Sequence, residues 1–158
     1  CLTNACEVLT PSGYKKVSDF IVGEKVITSD NRPVIVTDIY QEKFYLNDTK
    51  LIPYKIPKGY YGKNKPDKDT YISSHHAYCV NDKWHLPKDT NLSRQWENEY
   101  IYYYNLKLKD HFKDHLVVNN MTMESWDGLE PEESRNYKWI INKKRNFVIK
   151  EFFKVNQN

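Results

Sequence analysis

Cysteine is scarce in this chain, since only Cys1, Cys6 and Cys79 occur among 158 residues. Small secreted domains with little core often depend on several disulfides, and an odd set of three cannot supply such a framework. At most one bridge could form. The composition therefore favours a reducing or indifferent compartment without identifying that compartment.

Long apolar runs and an excess of one charge are also missing. No run approaches the roughly 20 apolar residues that span a bilayer, and no signal-peptide pattern opens the chain. Lys and Arg number 24 against 21 Asp and Glu, which leaves a net charge of +3. Such a balance gives no electrostatic case for nucleic acid or an anionic membrane. We expect neither among the partners, and we expect a monomer.

The chain is rich in aromatic and β-branched residues. It has 13 Tyr and is 39% hydrophobic, and its 158 residues suffice for one domain with a sizeable core. Short alternating segments bounded by Gly, Pro, Asn or Asp predict strands. These predicted strands are residues 24–29, 34–41, 50–54, 70–73, 77–80, 100–107 and 116–119. Short helices are predicted at residues 15–20 and 131–139. The pattern predicts an all-β domain of many short strands.

The N-terminal cysteine suggests a specific reaction. The chain starts at cysteine instead of methionine. We therefore expect that preceding residues were removed by the experimenter, by a processing enzyme or by the protein itself. The Cys1 thiol could attack a preceding carbonyl through a five-membered ring and convert the amide into a thioester. That shift is uphill, so it needs a polarised amide, a proton donor for the nitrogen and hydrogen-bond donors for the oxyanion. Ser73, His75 and His76 are residues of the required types.

Other functions remain open at this point. Residues 70–85, "TYISSHHAYCVNDKWH", contain possible zinc ligands, namely His75, His76, Cys79 and His85. Their spacing matches no zinc-finger template, and neighbouring histidines on a strand point to opposite faces. Residues 98–109, "NEYIYYYNLKLK", could instead form a stacking platform for single-stranded nucleic acid. A strand with a buried aromatic face explains that segment better.

Three blocks of the sequence resemble Hint domains, the fold shared by inteins and the hedgehog autoprocessing domain. "CLTNACEVLTPSGYKKVSDFIVGEKVIT" is similar to the opening block, with its leading Cys1. "YISSHHAY" resembles the second block, with Ser73 in the family's Thr position and His76 in its His position. "YYNLKLKDHFKDHLVVNNMTMESW" resembles the late block, in which a Tyr-Asp-Leu-like strand leads to an Asp/His turn, an apolar strand and Asn-Gly. The blocks occur in family order.

The resemblance implies a Hint-type horseshoe of short strands with pseudo-twofold halves over residues 1–128. Residues 129–158 would form a small C-terminal extension, either a strand pair or a helix at the domain edge. The reaction would be self-cleavage in a single turnover, with the chain's own upstream polypeptide as substrate. Water, a small thiol or another nucleophile would resolve the thioester, and no cofactor would be required.

The resemblance also implies a role for each catalytic residue. Cys1 would form the thioester, while Ser73 and His76 would assist loss of the amide nitrogen. Asp114 would handle the thiol proton, with His111 and His115 as rivals for that task.

One departure from the family argues against splicing. Inteins end their core at a His-Asn pair followed by Cys, Ser or Thr, whereas this chain reads "NNMTMESW" over residues 119–126 and continues. The terminal residues Gln157 and Asn158 lie too far beyond the late block for Asn158 to serve as a cyclising residue. Cleavage before Cys1 requires only the first half of the splicing chemistry, so we expect cleavage without splicing.

Overall fold

The structure, a computed structural model, describes residues 1–156 and is built mainly of short β-strands. Within that range the strands are β1 Glu7–Thr10, β2 Gly13–Lys16, β3 Lys25–Ile27, β4 Pro33–Ile35, β5 Asp38–Tyr45, β6 Tyr54–Ile56, β7 Thr70–Ile72, β8 Tyr78–Val80, β9 Lys83–His85, β10 Ser93–Arg94, β11 Tyr100–Lys107, β12 Leu116–Val118 and β13 Met121–Met123. Single 3₁₀ turns lie at Val17–Asp19, Thr49–Leu51 and Pro87–Asp89. An α-helix, α1, spans Trp139–Asn156. The predicted all-β class with a small C-terminal extension is confirmed.

The strands form four hydrogen-bonded groups. The largest is a six-stranded sheet in the order β2-β1-β12-β13-β8-β9, and a three-stranded sheet has the order β10-β6-β7. The remaining pairs are β11 with β5 and β3 with β4. The named pairings are antiparallel, both between strands that follow each other and between strands far apart in the sequence.

The pair β5–β11 separates two parts of the core. Its ladder runs over eight residues, and alternate side chains of a strand point to opposite faces. Ile101 and Tyr103 pack on one face with Phe44 and Cys1. Leu106 lies on the other face, in the main hydrophobic core. The N-terminal cysteine is therefore held against an aromatic and aliphatic wall.

Leu2 joins two of the strand groups. Its backbone forms isolated bridges with Ile72 of β7 and with Tyr104 of β11. The Leu2 N–H donates to the Tyr104 carbonyl at 2.7 Å, and the Tyr104 N–H donates back at 2.8 Å. The Leu2 side chain is fully buried. This anchor fixes the position of Cys1 relative to both neighbouring strands.

The helix predicted at residues 15–20 is reduced to the 3₁₀ turn Val17–Asp19, and the helix predicted at residues 131–139 is wrong. Residues 13–16 form β2 instead, since each pairs in register with a residue of β1, and this pairing overrides the local helical pattern. Residues 131–138 form turns, in which Ser134 N–H donates to Pro131 and Tyr137 N–H donates to Ser134. The extension becomes helical only from Trp139. The predicted strand over residues 34–41 is divided between β4 and β5.

Helix α1 packs on the sheet through its last turns. Phe152 is buried and meets Trp84 at a ring-centroid distance of 4.8 Å and His115 at 5.7 Å. Arg145 is the other buried residue of this helix, whereas Phe147 remains exposed. In the described part of the chain no helix is long and apolar enough to cross a membrane.

Candidate active site around Cys1

Cys1 lies in a closed pocket between β7 and β11. It is only 4% exposed, and its carbonyl accepts a hydrogen bond from the Ser73 N–H at 3.0 Å. The Cys1 amine donates to the Ser73 hydroxyl. Ser73 therefore holds both the nitrogen and the carbonyl of Cys1, immediately after β7 ends.

Ser73 and His76 belong to one tight turn between β7 and β8. The His76 N–H donates to the Ser73 carbonyl at 3.2 Å, and both side chains are buried. His75 faces outward from the same turn, where its Nδ1 lies 2.9 Å from Glu132. The two histidines were predicted to point apart because they would lie on a strand. They do point apart, but a turn is the cause.

The His76 ring is buried and only partly satisfied. Its Nε2 has no hydrogen-bond partner within the described residues. Burial, followed by the positive charges of the Cys1 amine and Arg145, holds the His76 pKa well below its usual range. A hydrogen bond to the Glu124 backbone opposes this shift in part. A protonated His76 ring therefore gives up its proton readily. The charge of the Cys1 amine is one of the causes of the lowered pKa.

The Cys1 amine itself is electrostatically unusual. Burial lowers its pKa from 8.0 to about 6, and the carboxylates of Glu133 and Glu124 offset only part of that effect. Arg145 lowers the pKa further, whereas Cys6 raises it. An amine in this position is therefore largely uncharged at neutral pH.

The Cys1 sulfur lies between a donor and an acceptor. The Asn105 side-chain amide of β11 donates to Sγ at 3.4 Å. The thiol faces the Glu133 carboxylate, with 3.9 Å between Sγ and Oε2. Asn105 is buried and Glu133 is half-buried. A thiolate at this position would keep the Asn105 hydrogen bond, which favours the charged form.

A buried charge network lies behind the site. Arg145 of α1 bonds Asp127 at 2.7 Å and lies 3.9 Å from Glu124. The other oxygen of Glu124 lies 3.8 Å from His111 Nε2. Burial raises the Glu124 pKa, while His111 and Arg145 lower it. Burial lowers the pKa of Arg145, but the carboxylates of Asp127 and Glu124 outweigh this effect and raise the pKa above its ordinary value.

We expect Arg145→Met to destabilise the protein strongly. The Arg145 side chain is 8% exposed, and its loss leaves the buried carboxylate of Asp127 without the cation that pairs with it at 2.7 Å. Removing one partner of a buried ion pair typically costs about 3–5 kcal/mol. Urea unfolding measures the change, with Lys144→Met, an exposed neighbour on α1, as the matched control. Equal unfolding midpoints for the two variants would show that the network adds no net stability.

The late-block candidates occupy three different environments. Asp114 accepts from Arg32 at 2.8 Å and from the Asp110 N–H at 3.0 Å. His115 bonds Asn156 of α1 at 3.1 Å and meets the Trp84 ring edge to face at a centroid distance of 4.7 Å. His111 contacts the Ser125 carbonyl at 2.7 Å. Of the three, His111 alone is among the charges that shift the pKa of His76.

The proposed zinc ligands do not converge. His75 pairs with Glu132, whereas His85 packs its ring against Tyr78 in the β8–β9 hairpin. Throughout residues 1–156 no three His, Cys, Asp or Glu side chains form a group that could hold a metal ion. The zinc alternative therefore lacks a ligand set in the described structure.

The Tyr-rich segment is largely committed to the core. Tyr103 and Tyr104 are buried, and the Tyr103 hydroxyl donates to the Leu51 carbonyl at 2.6 Å. Tyr100 is exposed, and Lys43 lies 4.6 Å from its ring centroid. Tyr102 is partly buried and packs against the main hydrophobic core. Buried rings cannot stack on bases, so packing in the core accounts for Tyr103 and Tyr104 and for part of Tyr102.

A cleft of about 670 Å³ opens beside the thiol. Glu133, which faces the Cys1 sulfur, and Phe44, which packs against Cys1, both line it. The other lining residues include Lys43, Lys50, Lys88, Arg94 and Arg135. The cleft gives solvent-borne molecules a route toward the buried site.

Sequence reasoning missed three residues at this site. Asn105 stands in the Asp position of the Tyr-Asp-Leu-like strand, so the family pattern carried a signal for it. Glu133 and Arg145 lie in the extension, where no motif or periodicity indicated a role. Their placement depends on how residues 129–156 fold back onto the domain.

Comparisons with known proteins agree with this architecture. A family model described as Hint domain matches residues 1–128. No curated protein sequence matches the chain.

Several solved structures share the fold. The MchDnaB-1 intein is 11% identical with a TM-score of 0.55, covering 80% of this chain and 100% of its own. A bacterial intein-like domain from Clostridium thermocellum is 12% identical with a TM-score of 0.55, covering 79% of this chain and 97% of its own. The gp41-1 intein is 14% identical with a TM-score of 0.54, covering 77% of this chain and 95% of its own. At these identities the likeness establishes the fold alone.

Proposed function

This chain belongs to the Hint domain family and is an autoprocessing-type domain, and on that premise we propose that it cleaves the peptide bond before its own Cys1. One observation carries the proposal. The Cys1 nitrogen, which would be the leaving nitrogen, donates to the Ser73 hydroxyl, and buried His76, whose N–H bonds the Ser73 carbonyl, has an unpartnered Nε2 within the described residues. The nucleophile and both groups that assist departure of the nitrogen are therefore in one buried pocket.

The reaction follows from these contacts. The Cys1 sulfur attacks the preceding carbonyl carbon, a C–S bond forms, and the C–N bond to Cys1 breaks. Ser73 accepts a hydrogen bond from the nitrogen and fixes its orientation. His76 delivers a proton to the departing nitrogen, and Asn105 donates a hydrogen bond to the sulfur while it is charged. Water or a small thiol then releases the upstream segment.

We propose that splicing does not follow. The step that joins flanking segments in inteins uses a His-Asn pair at the end of the core. No His in this sequence is directly followed by Asn. In the corresponding late-block region, Glu124 accepts a hydrogen bond from the Ala77 N–H at 3.1 Å and lies near Arg145. The chain also continues beyond this point into α1.

The test is a fusion of an unrelated folded domain before Cys1. Incubation with and without dithiothreitol or hydroxylamine, followed by mass spectrometry, should show release of the upstream domain that accelerates with either nucleophile. A fusion that stays intact under all conditions would contradict the proposal. A product joining the upstream domain to a downstream flank would contradict the absence of splicing.

We expect the thioester to accumulate as pH falls below about 6. The amine freed by the shift has a pKa of about 6, and only its neutral form attacks the thioester in the reverse direction. Above pH 6 the equilibrium between the amide and the thioester is independent of pH. Below pH 6 each decrease of one pH unit favours the thioester about tenfold, because protonation removes the attacking amine. Acid quenching followed by denaturing hydroxylamine treatment measures the thioester fraction.

An ordinary amine provides the reference for this pH dependence. With an unshifted pKa of 8.0, accumulation would begin near pH 8. Circular dichroism at each pH confirms that the domain remains folded. A transition near pH 8 in the folded protein would show that the buried environment of Cys1 does not depress its amine pKa.

A further inference from the structure

The proposed self-cleavage requires a group that accepts the thiol proton. The late-block candidates are engaged elsewhere: Asp114 pairs with Arg32, His115 bonds Asn156, and His111 contacts the Ser125 carbonyl. Asn105 touches the sulfur but carries an amide, which donates to it and cannot act as the base. The acceptor must be another group within reach of Sγ.

Glu133 is a carboxylate that meets this requirement. Its Oε2 lies 3.9 Å from Sγ, in the direction in which the thiol donates. Asn105 approaches the same sulfur as a donor at 3.4 Å. The sulfur thus has an acceptor for its proton and a donor for the resulting charge.

Three contacts fix the segment that carries Glu133. The preceding residue Glu132 bonds His75 at 2.9 Å. The Ser134 N–H donates to the Pro131 carbonyl, which closes a turn around Glu133. Arg145, further along the extension, binds Asp127 at 2.7 Å. The segment around Glu133 is therefore held at two points, by His75 in the turn that carries His76 and by the Arg145–Asp127 pair.

We propose that Glu133, which lies outside the segment matched by the family, is the base that accepts the Cys1 thiol proton. This inference rests on the proposed function. The S–H bond breaks and an O–H bond forms on Glu133, while the sulfur electron pair forms the C–S bond to the preceding carbonyl carbon. The C–N bond breaks as His76 gives its proton to the nitrogen. The proton on Glu133 returns to His76 through solvent in the adjoining cleft, which balances the cycle.

The test uses Glu133→Gln in the full-length fusion, with Glu130→Gln, a change at another half-buried carboxylate of the extension, as the matched control. Loss of a general base should slow cleavage about 10²-fold or more at pH 7. Cleavage by the variant should recover as pH rises, since hydroxide then produces the thiolate. Glu133→Asp should retain part of the activity, and Glu130→Gln should stay close to wild type.

A second readout separates catalysis from structure. Iodoacetamide alkylation of Cys1, followed by peptide mapping, reports the thiolate. Removing the neighbouring negative charge favours the thiolate, so Glu133→Gln should alkylate Cys1 as fast as wild type or faster, with a lower pH midpoint. A structural defect would instead change thermal stability, with no such lowering of the alkylation midpoint.

The outcomes are distinguishable. Cleavage by Glu133→Gln at the wild-type rate, or slow cleavage with an unchanged alkylation midpoint, would overturn the assignment of Glu133. If the wild-type fusion does not cleave, the proposed function fails, and alkylation alone decides whether Glu133 controls the thiol. In that case an unchanged midpoint overturns the assignment and a lowered midpoint supports the contact.

Discussion

Replacing Cys1 by Ala is expected to lower the rate of upstream cleavage by about four orders of magnitude or more, to the background of an ordinary peptide bond. In the scheme, the Cys1 sulfur is the protein group that forms a covalent bond to the substrate carbonyl carbon. Ser73, His76 and Asn105 remain in place in the variant, but they have no nucleophile to assist. Time courses of the fusion by mass spectrometry, with and without hydroxylamine, measure the loss.

The matched control for this substitution is Cys79→Ala. Cys79 is half-buried on β8 and packs beside Trp84, in a cluster different from that of Cys1. Its loss should leave cleavage close to wild type. Hydroxylamine-dependent cleavage that persists in Cys1→Ala would mean that another group forms the activated intermediate.

We expect His76→Ala to slow cleavage about 10²- to 10⁴-fold, the range typical for loss of a positioned general acid. His76 is buried, has an unpartnered Nε2 within the described residues and is coupled to the Cys1 nitrogen. Without it, the leaving nitrogen must depart as a strongly basic anion or wait for a proton from solvent. Single-turnover rates in excess dithiothreitol, compared with wild type, give the factor.

His75→Ala is a closely matched control, since the residue type is the same and the position differs by one. His75 is partly exposed and pairs with Glu132, an interaction worth at most about 1 kcal/mol, so cleavage should change less than about fivefold. Thermal denaturation of both variants checks folding. Equal effects at the two positions would mean that neither histidine acts at the leaving nitrogen.

The degree to which local sequence predicted the fold differs between elements. The strand expected at Tyr100–Lys107 occurs with those bounds, because a run of aromatic and β-branched residues meets a partner of the same length in β5. The expected helix near residues 15–20 is a strand and a 3₁₀ turn, because pairing with β1 determines its conformation. Cross-strand pairing is a tertiary property, and a single segment does not reveal it.

The same distinction applies to the site. Ser73 and His76 are close in sequence, so a short motif contains them, and one turn brings them to Cys1. Asn105 is 104 positions from Cys1 but lies in a recognisable strand motif. Glu133 belongs neither to a short motif nor to a recognisable strand pattern. Its contact with the sulfur spans 132 positions and depends on the way the extension folds back, which no local pattern encodes.

The pairing of Leu2 with Tyr104 has a consequence for what the domain can act on. Because this ladder holds the residue next to the scissile bond, the substrate is delivered by covalent attachment and not by recognition of its sequence. In well-oriented systems such attachment corresponds to effective concentrations of about 10⁵–10⁸ M, far above any free substrate. The domain therefore needs no specificity pocket for the polypeptide before Cys1. Unrelated upstream partners should be processed as long as they leave this short strand in place.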